Sequence, residues 1–260
     1  MLDTHCHLDF SAFDQDRTEV LARARASGVL AILIPGVISA TWQGVLDLCQ
    51  RSHGSCFPAL GLHPLFITAH QPADIDRLRE RLRQQPPIAI GEIGLDFADR
   101  DCDRDTQRWY FTRQLILARE FNLPVLLHVR KAHDEVIQVL RTAQLRGGIA
   151  HAFNGSLQQA QAYLALGFKL GFGGMLTFGR SRKLRHLARE LPLEALVLET
   201  DAPDMTVASH QGQRNSPEYL PEVLAALAGV RTESLDELAK ATTANAISVL
   251  QLDRSLASLL

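Results

Sequence analysis

Eight short, almost wholly apolar segments punctuate the chain, at residues 2–7, 29–35, 56–62, 88–94, 123–129, 148–152, 167–171 and 196–200. Segments of this length without polar alternation read as strands buried on both faces, the habit of parallel sheets. Apolar residues recur at helical spacing between them, over 16–27, 40–51, 74–84, 106–121, 133–146, 157–166 and 183–190. Parallel strands must be joined by crossovers, and a helix is the usual crossover. Eight such units predict a (β/α)8 TIM barrel, with an open doubly wound sheet as the rival. Residues 216–252 predict two or three helices that close the structure. No linker or low-complexity stretch divides residues 1–260, so a single domain is expected.

The polar residues sharpen the choice. Six of the segments end in residues able to bind a metal ion: His5-Cys6-His7, His63, Glu92 with Asp96, His128, His151, and Glu199 with Asp201. In a barrel the strand C-termini converge on one mouth, where active sites are built. Residues 200 positions apart would therefore meet. His5 and His7 share a face by the two-residue period of a strand, and Cys6 points the other way into packing. Glu92 follows Ile88-Ala-Ile-Gly91, where a carboxylate is costly unless it is paired or bound to metal. Gly91 and Gly94 leave room around it. Its two oxygens can bridge two cations. His128 and His151 are expected at a second ion. Asp201 can ligate a metal and accept the proton of an attacking water. Glu199 shares its face and is expected beside the ligands or the substrate.

Four histidines and two carboxylates, with no cysteine, suit zinc, manganese or magnesium and argue against iron–sulfur or copper(I) chemistry. The four cysteines include no Cys-x-x-Cys pair and read as free thiols of a reducing compartment. The N-terminus carries neither a basic stretch nor an apolar core, and no apolar run is long enough to span a bilayer, so a cytoplasmic protein without membrane contact is expected. The formal net charge of −2 supplies no global field for long nucleic acid, though a local phosphate site fits. Arg180, Arg182, Lys183, Arg185 and His186 follow the seventh strand and could hold phosphates, although the solvated face of an ordinary helix is the favoured reading of that run. Arg77, Arg79, Arg81 and Arg83 precede the fourth strand, at the opposite end of a barrel, and read as solvation. Trp42 and Trp109 sit at helical spacing among apolar neighbours and are expected in the core. Gly171-Phe-Gly-Gly reads as a flexible turn at the mouth.

The ordered set Asp3-Thr-His5-Cys-His7, Gly61-Leu-His63-Pro, Gly91-Glu92-Ile-Gly94-Leu-Asp96, His128-Val-Arg130, His151-Ala-Phe153-Asn-Gly, Glu199-Thr-Asp201-Ala-Pro203 and Asn215-Ser-Pro217 resembles the TatD-type metal-dependent deoxyribonucleases of the amidohydrolase-like superfamily, most of all their YjjV branch. The resemblance covers essentially the whole chain. It implies a distorted barrel with His5, His7, Glu92, His128, His151 and Asp201 as ligands of two divalent metal ions. It also implies His63, Arg130 and Phe153 around the substrate. Some relatives place a modified lysine at the bridge; no lysine occurs between 84 and 99 here. The implied reaction is hydrolysis of DNA phosphodiesters from an end, through attack of a metal-bridging hydroxide, with Glu92 and Asp201 as the catalytic carboxylates. DNA ends, single-stranded DNA or a small phosphate-bearing molecule are the expected partners of a monomer. A small-molecule metallohydrolase acting on a phosphate ester, lactone or amide is the alternative, because fold and ligands do not fix the substrate. A binding module that kept the fold is a second alternative, against which the complete ligand set argues.

Overall fold

A computed structural model describes residues 1–252. Eight parallel strands lie in the order in which they occur along the chain, each bonded to the next. They are β1 (Leu2–Asp3), β2 (Ala31–Pro35), β3 (Cys56–Leu60), β4 (Ala89–Asp96), β5 (Val125–Arg130), β6 (Gly148–Ala150), β7 (Phe168–Phe172) and β8 (Leu196–Leu198). The crossovers carry α1 (Arg17–Ala26), α2 (Trp42–Arg51), α3 (Ala73–Gln84), α4 (Arg104–Glu120), α5 (His133–Ala143), α6 (Leu157–Ala165) and α7 (Arg182–Glu190). Two further helices follow, α8 (Leu220–Ala228) and α9 (Leu235–Leu250). The last strand returns to the first: Thr4 N donates to Leu198 O at 3.0 Å, Asp201 N to His5 O at 2.8 Å and His7 N to Ala202 O at 2.8 Å. The architecture is the expected (β/α)8 barrel.

Two apolar layers explain the strand composition. Ile32, Ile34, Leu60, Ile90, Leu127 and Leu198 join the buried faces of the helices. Alternate residues, among them Leu2, Leu33, Ala59, Leu126, Ile149 and Val197, form a separate cluster with Ala246 and Leu250 of α9. That helix therefore packs onto one end of the barrel interior. The two-residue period then carries His128, His151 and Glu199 to the same interior, because they follow Leu126, Ile149 and Val197 by two. The apolar plug lies at one end and the polar residues at the other.

Glu92 breaks this parity. The β4–β5 register shifts between Ile90 and Ile93 and then resumes, with Gly94 opposite His128 and Asp96 opposite Arg130. An irregularity of this kind re-aims a side chain, and it occurs beside Glu92. Gly94 adopts φ +151°, and a Cβ there would lie 1.9 Å from the carbonyl oxygen of His128. The bare backbone at Gly94 is thus a condition of the close β4–β5 approach at the site.

Three expectations are corrected. The regular part of β1 stops at Asp3 and that of β8 at Leu198, so both ligand-bearing ends are extended loop. Trp42 is buried, but Trp109 is 38% exposed. The buried face of α4 runs through Gln107, Tyr110, Phe111, Gln114, Leu115 and Ala118, and Trp109 falls outside that stripe, beneath the Arg113 guanidinium. Gly171 belongs to β7 rather than to a turn. A Cβ on it would lie 2.1 Å from Glu199 Oε2, so the glycine makes space for a buried carboxylate. On α3, Arg77 pairs with Asp74 of the same helix at 2.8 Å and Arg79 with Glu120 of α4 at 3.2 Å.

Candidate metal centre

Glu92 sits at the middle of the barrel mouth, 1% exposed, with five imidazoles around it. Its two oxygens face two different groups. Oε2 lies 3.0 Å from His5 Nε2 and 3.4 Å from His7 Nε2. Oε1 lies 2.9 Å from His128 Nδ1, 3.1 Å from His63 Nε2 and 3.2 Å from His151 Nε2. Asp201 Oδ1 joins the first group, 3.7 Å from both His5 Nε2 and His7 Nε2. A carboxylate this deep carries its charge only if cations or donors surround it, and no arginine or lysine stands beside it among the described residues.

The elements explain the convergence. His5 and His7 follow β1, and their Nε2 atoms approach to 3.3 Å, as the shared face requires. Cys6 between them is fully buried and bridges to Ala202. Asp201 is held at φ +58°. Aspartate enters this left-handed region more readily than most residues, and here the turn swings its carboxylate toward the two histidines. His151 stacks on His5 with ring centroids 3.9 Å apart.

The neighbouring polar groups set orientation. His128 Nε2 lies 2.9 Å from Asp96 Oδ2, so a carboxylate steadies the imidazole. Glu199 is fully buried; it accepts the Ala152 N–H and lies 3.4 Å from His151 Nδ1. Asp3 accepts from Thr200 N at 2.9 Å, Thr200 Oγ1 at 2.6 Å and His5 N at 3.2 Å, tying the end of β1 to the end of β8. Asn215 clamps the same loop through Thr200 O and Asp204 O, both at 2.8 Å. Sequence reasoning gave Asp3 and Asn215 no role of their own. The signal available was a carboxylate one residue inside an apolar strand start, which burial makes expensive unless it is bonded as here.

His63 has a distinct chemistry. Its Nδ1 accepts the Leu65 N–H at 3.1 Å. In the neutral ring the proton therefore sits on Nε2, which donates to Glu92. Burial, with the His128 charge, lowers its pKa to about 4, so the neutral form prevails. His63 thus holds Glu92 by a hydrogen bond and offers no free lone pair on that nitrogen.

Arg130 and Phe153 lie apart from the cluster. Arg130 is exposed at the end of β5, beside Asp96, with no carboxylate partner among the described residues. The Phe153 ring is 1% exposed and packs against His133 and Tyr163. It also forms a wall of a cavity of about 430 Å³ shared with Met175, Arg180, Leu184 and Met205.

The ionisation pattern is that of a buried cluster in which carboxylates and imidazoles set one another's charge. Burial drives the His5 pKa down to about 3, reinforced by His151. His7 and His128 are raised despite burial, because Glu92 stands beside both and Asp96 beside His128. His151 is raised well above its usual value by Glu92, Asp201 and Glu199, again against burial. Burial would raise Glu92, but His63, His5 and His151 outweigh it and hold the carboxyl well below its usual range. Asp201 is pushed up to about 6 by burial. The imidazolium protons balance the buried carboxylates, a task that divalent ions perform when bound.

The residues fit a metal on two observations. The donors form compact groups, among them His5–His7–Asp201 and His5–Glu92–His151, with ligand atoms within 4.8 Å of one another in each. The buried Nδ1 atoms of His5, His7 and His151 also lack hydrogen-bond partners, so the rings are held by what their other nitrogens bind. All six expected ligands lie in this cluster, and His63 joins it.

The family model described as TatD related DNase matches residues 2–251. The metal-dependent hydrolase YjjV of Escherichia coli K12 is 41% identical over 94% of this chain and 95% of its own. Its crystal structure superposes with a TM-score of 0.94, covering 97% of this chain and 98% of that one. A protein of Pantoea sp. At-9b named 3'-5' ssDNA/RNA exonuclease TatD is 34% identical over 97% of this chain and 100% of its own. The chain belongs to the TatD related DNase family.

Proposed function

We propose that the protein is a metal-dependent phosphodiesterase that removes nucleotides from an end of single-stranded DNA. The observation that carries the reading is the division of donors between the two oxygens of Glu92. Glu92 would bridge two divalent ions, zinc, manganese or magnesium, one held with His5, His7 and Asp201 and the other with His128 and His151. Such ions, when bound, neutralise phosphate charge and acidify water to near neutrality.

The chain's own residues complete the reaction. Asp201 has a side chain 16% exposed, against 1% for Glu92 and Glu199. It is the carboxylate at the cluster that an incoming water reaches, and it accepts that water's proton. His63 keeps Glu92 turned toward both donor groups, and Asp96 steadies His128. Arg130 at the rim offers a planar pair of donors to the phosphate. The relative named as an exonuclease supports the choice of substrate.

A second reading is favoured by the apolar wall of Phe153, Met175, Leu184 and Met205 beside the mouth. A small ester, lactone or amide with an apolar group would suit that cavity. Hydrolysis of a single-stranded oligodeoxynucleotide with added manganese, magnesium or zinc separates the two, with His5→Ala run alongside. Stepwise, metal-dependent release of nucleotides, lost in His5→Ala, is the expected result, and the product ladder reads the direction. A metal-loaded protein that leaves DNA intact would discard the nuclease reading and favour the second.

A further inference from the structure

Outside the metal cluster, a groove along α7 is lined by four arginines. Arg182, Arg185, His186 and Arg189 recur at intervals of three and four and share one face of that helix. The opposite face is the apolar one, with Leu187 and Ala188 buried. The basic face does not simply look into solvent. The segment between α8 and α9, through Arg231 and Thr232, rises opposite it and encloses a groove of about 690 Å³. The stripe is about 10 Å long at the rise of an α-helix.

Half of the groove's four arginines are not spent on carboxylates. Arg182 has no ion-pair partner among the described residues, and Arg185 donates only to the Leu176 carbonyl oxygen, at 3.3 Å. Arg189 pairs with Glu190 at 2.8 Å, and Arg231 with Glu233 at 2.7 Å. Positive charge therefore remains in excess in a chain whose net charge is −2. The groove also adjoins the mouth: Arg182 lines both it and the cavity walled by Phe153, and Ala152, the neighbour of His151, lines that cavity too.

We infer that the α7 groove is a docking track for the sugar–phosphate backbone of the substrate strand, away from the bond that is cut. The inference rests on the nuclease reading and names what that reading leaves open, namely where the uncut strand lies. Arg185 and Arg189 each take a phosphate, and Arg182 leads the strand toward the metal cluster. Contacts of this kind position a strand without reading its bases. They make affinity depend on chain length and on salt, with a logarithmic slope of about −0.7 per neutralised phosphate of a single strand.

The test uses metal-loaded protein and fluorescently labelled, phosphorothioate-linked DNA of three and of twenty nucleotides, so that binding is read without cleavage. The wild type is expected to bind the longer strand more tightly. Arg185→Gln/Arg189→Gln is expected to weaken the twenty-nucleotide strand about tenfold and to flatten its salt slope by about 1.4, with the three-nucleotide strand unchanged. Arg189→Gln alone, at an exposed position, should show about half of that slope change and guards against misfolding of the double variant. Equal binding of both lengths by the wild type, or an unchanged slope in both variants, would overturn the track. Length-dependent binding through the groove by a protein that cuts no DNA would instead leave the track standing and remove the nuclease.

Discussion

Glu92→Gln is expected to leave a folded barrel that has lost its metal and with it roughly a thousandfold or more of its turnover. The amide keeps the size of the side chain and one acceptor oxygen but removes the negative charge. That charge is the one shared by His5 and His7 on one side and His128 and His151 on the other. Without it two cations would face each other with no anion between them. Metal content should fall to a small fraction of that of the wild type. The fold should survive, because the eight-strand ladder and the apolar layers do not depend on this side chain. Circular dichroism and metal analysis of the purified variant check both halves. Glu92→Asp, which keeps the charge on a shorter arm, should retain part of the metal. A fully metallated and active Glu92→Gln protein would contradict the bridging role.

Asp201→Asn should separate proton transfer from folding. Asparagine tolerates the left-handed backbone at this position as aspartate does, and the Asp201 N–H to His5 bond, at 2.8 Å, is untouched. The loss should therefore fall on kcat, by about a hundredfold to ten-thousandfold, the usual worth of a positioned general base. KM should change far less, since in the proposed reaction the phosphate is held by Arg130 rather than by Asp201. Steady-state kinetics on an oligonucleotide reads the split. Near-normal kcat would remove Asp201 from the proton path.

Most of this site could be read from the sequence because barrel strands obey simple rules. A ligand-type residue two positions beyond an inward apolar one must face inward, and His128, His151 and Glu199 do. Other features escaped for physical reasons. The aim of Glu92 depends on a register irregularity that no periodicity reveals. The approach of His5 and His7 survives although the regular strand ends at Asp3, because backbone bonds to Leu33 and Ala202 keep the chain extended. The bond from His63 to Glu92 depends on which ring nitrogen the Leu65 N–H occupies, a fact of three dimensions. Trp109 misled because an aromatic among apolar neighbours fits either side of an amphipathic helix until its stripe is located. Asp3 and Asn215 do their work by joining loop ends that are nearly 200 residues and about a dozen residues away in sequence.

The claim that organises the rest is that Glu92 lies between two metal ions. Crystals of the protein grown with manganese or zinc, with data collected at the absorption edge of the metal, test it directly. Two anomalous peaks are expected, one bordered by His5, His7 and Asp201 and the other by His128 and His151, with a Glu92 oxygen on each. A single peak, or two peaks of which neither touches Glu92, would contradict it.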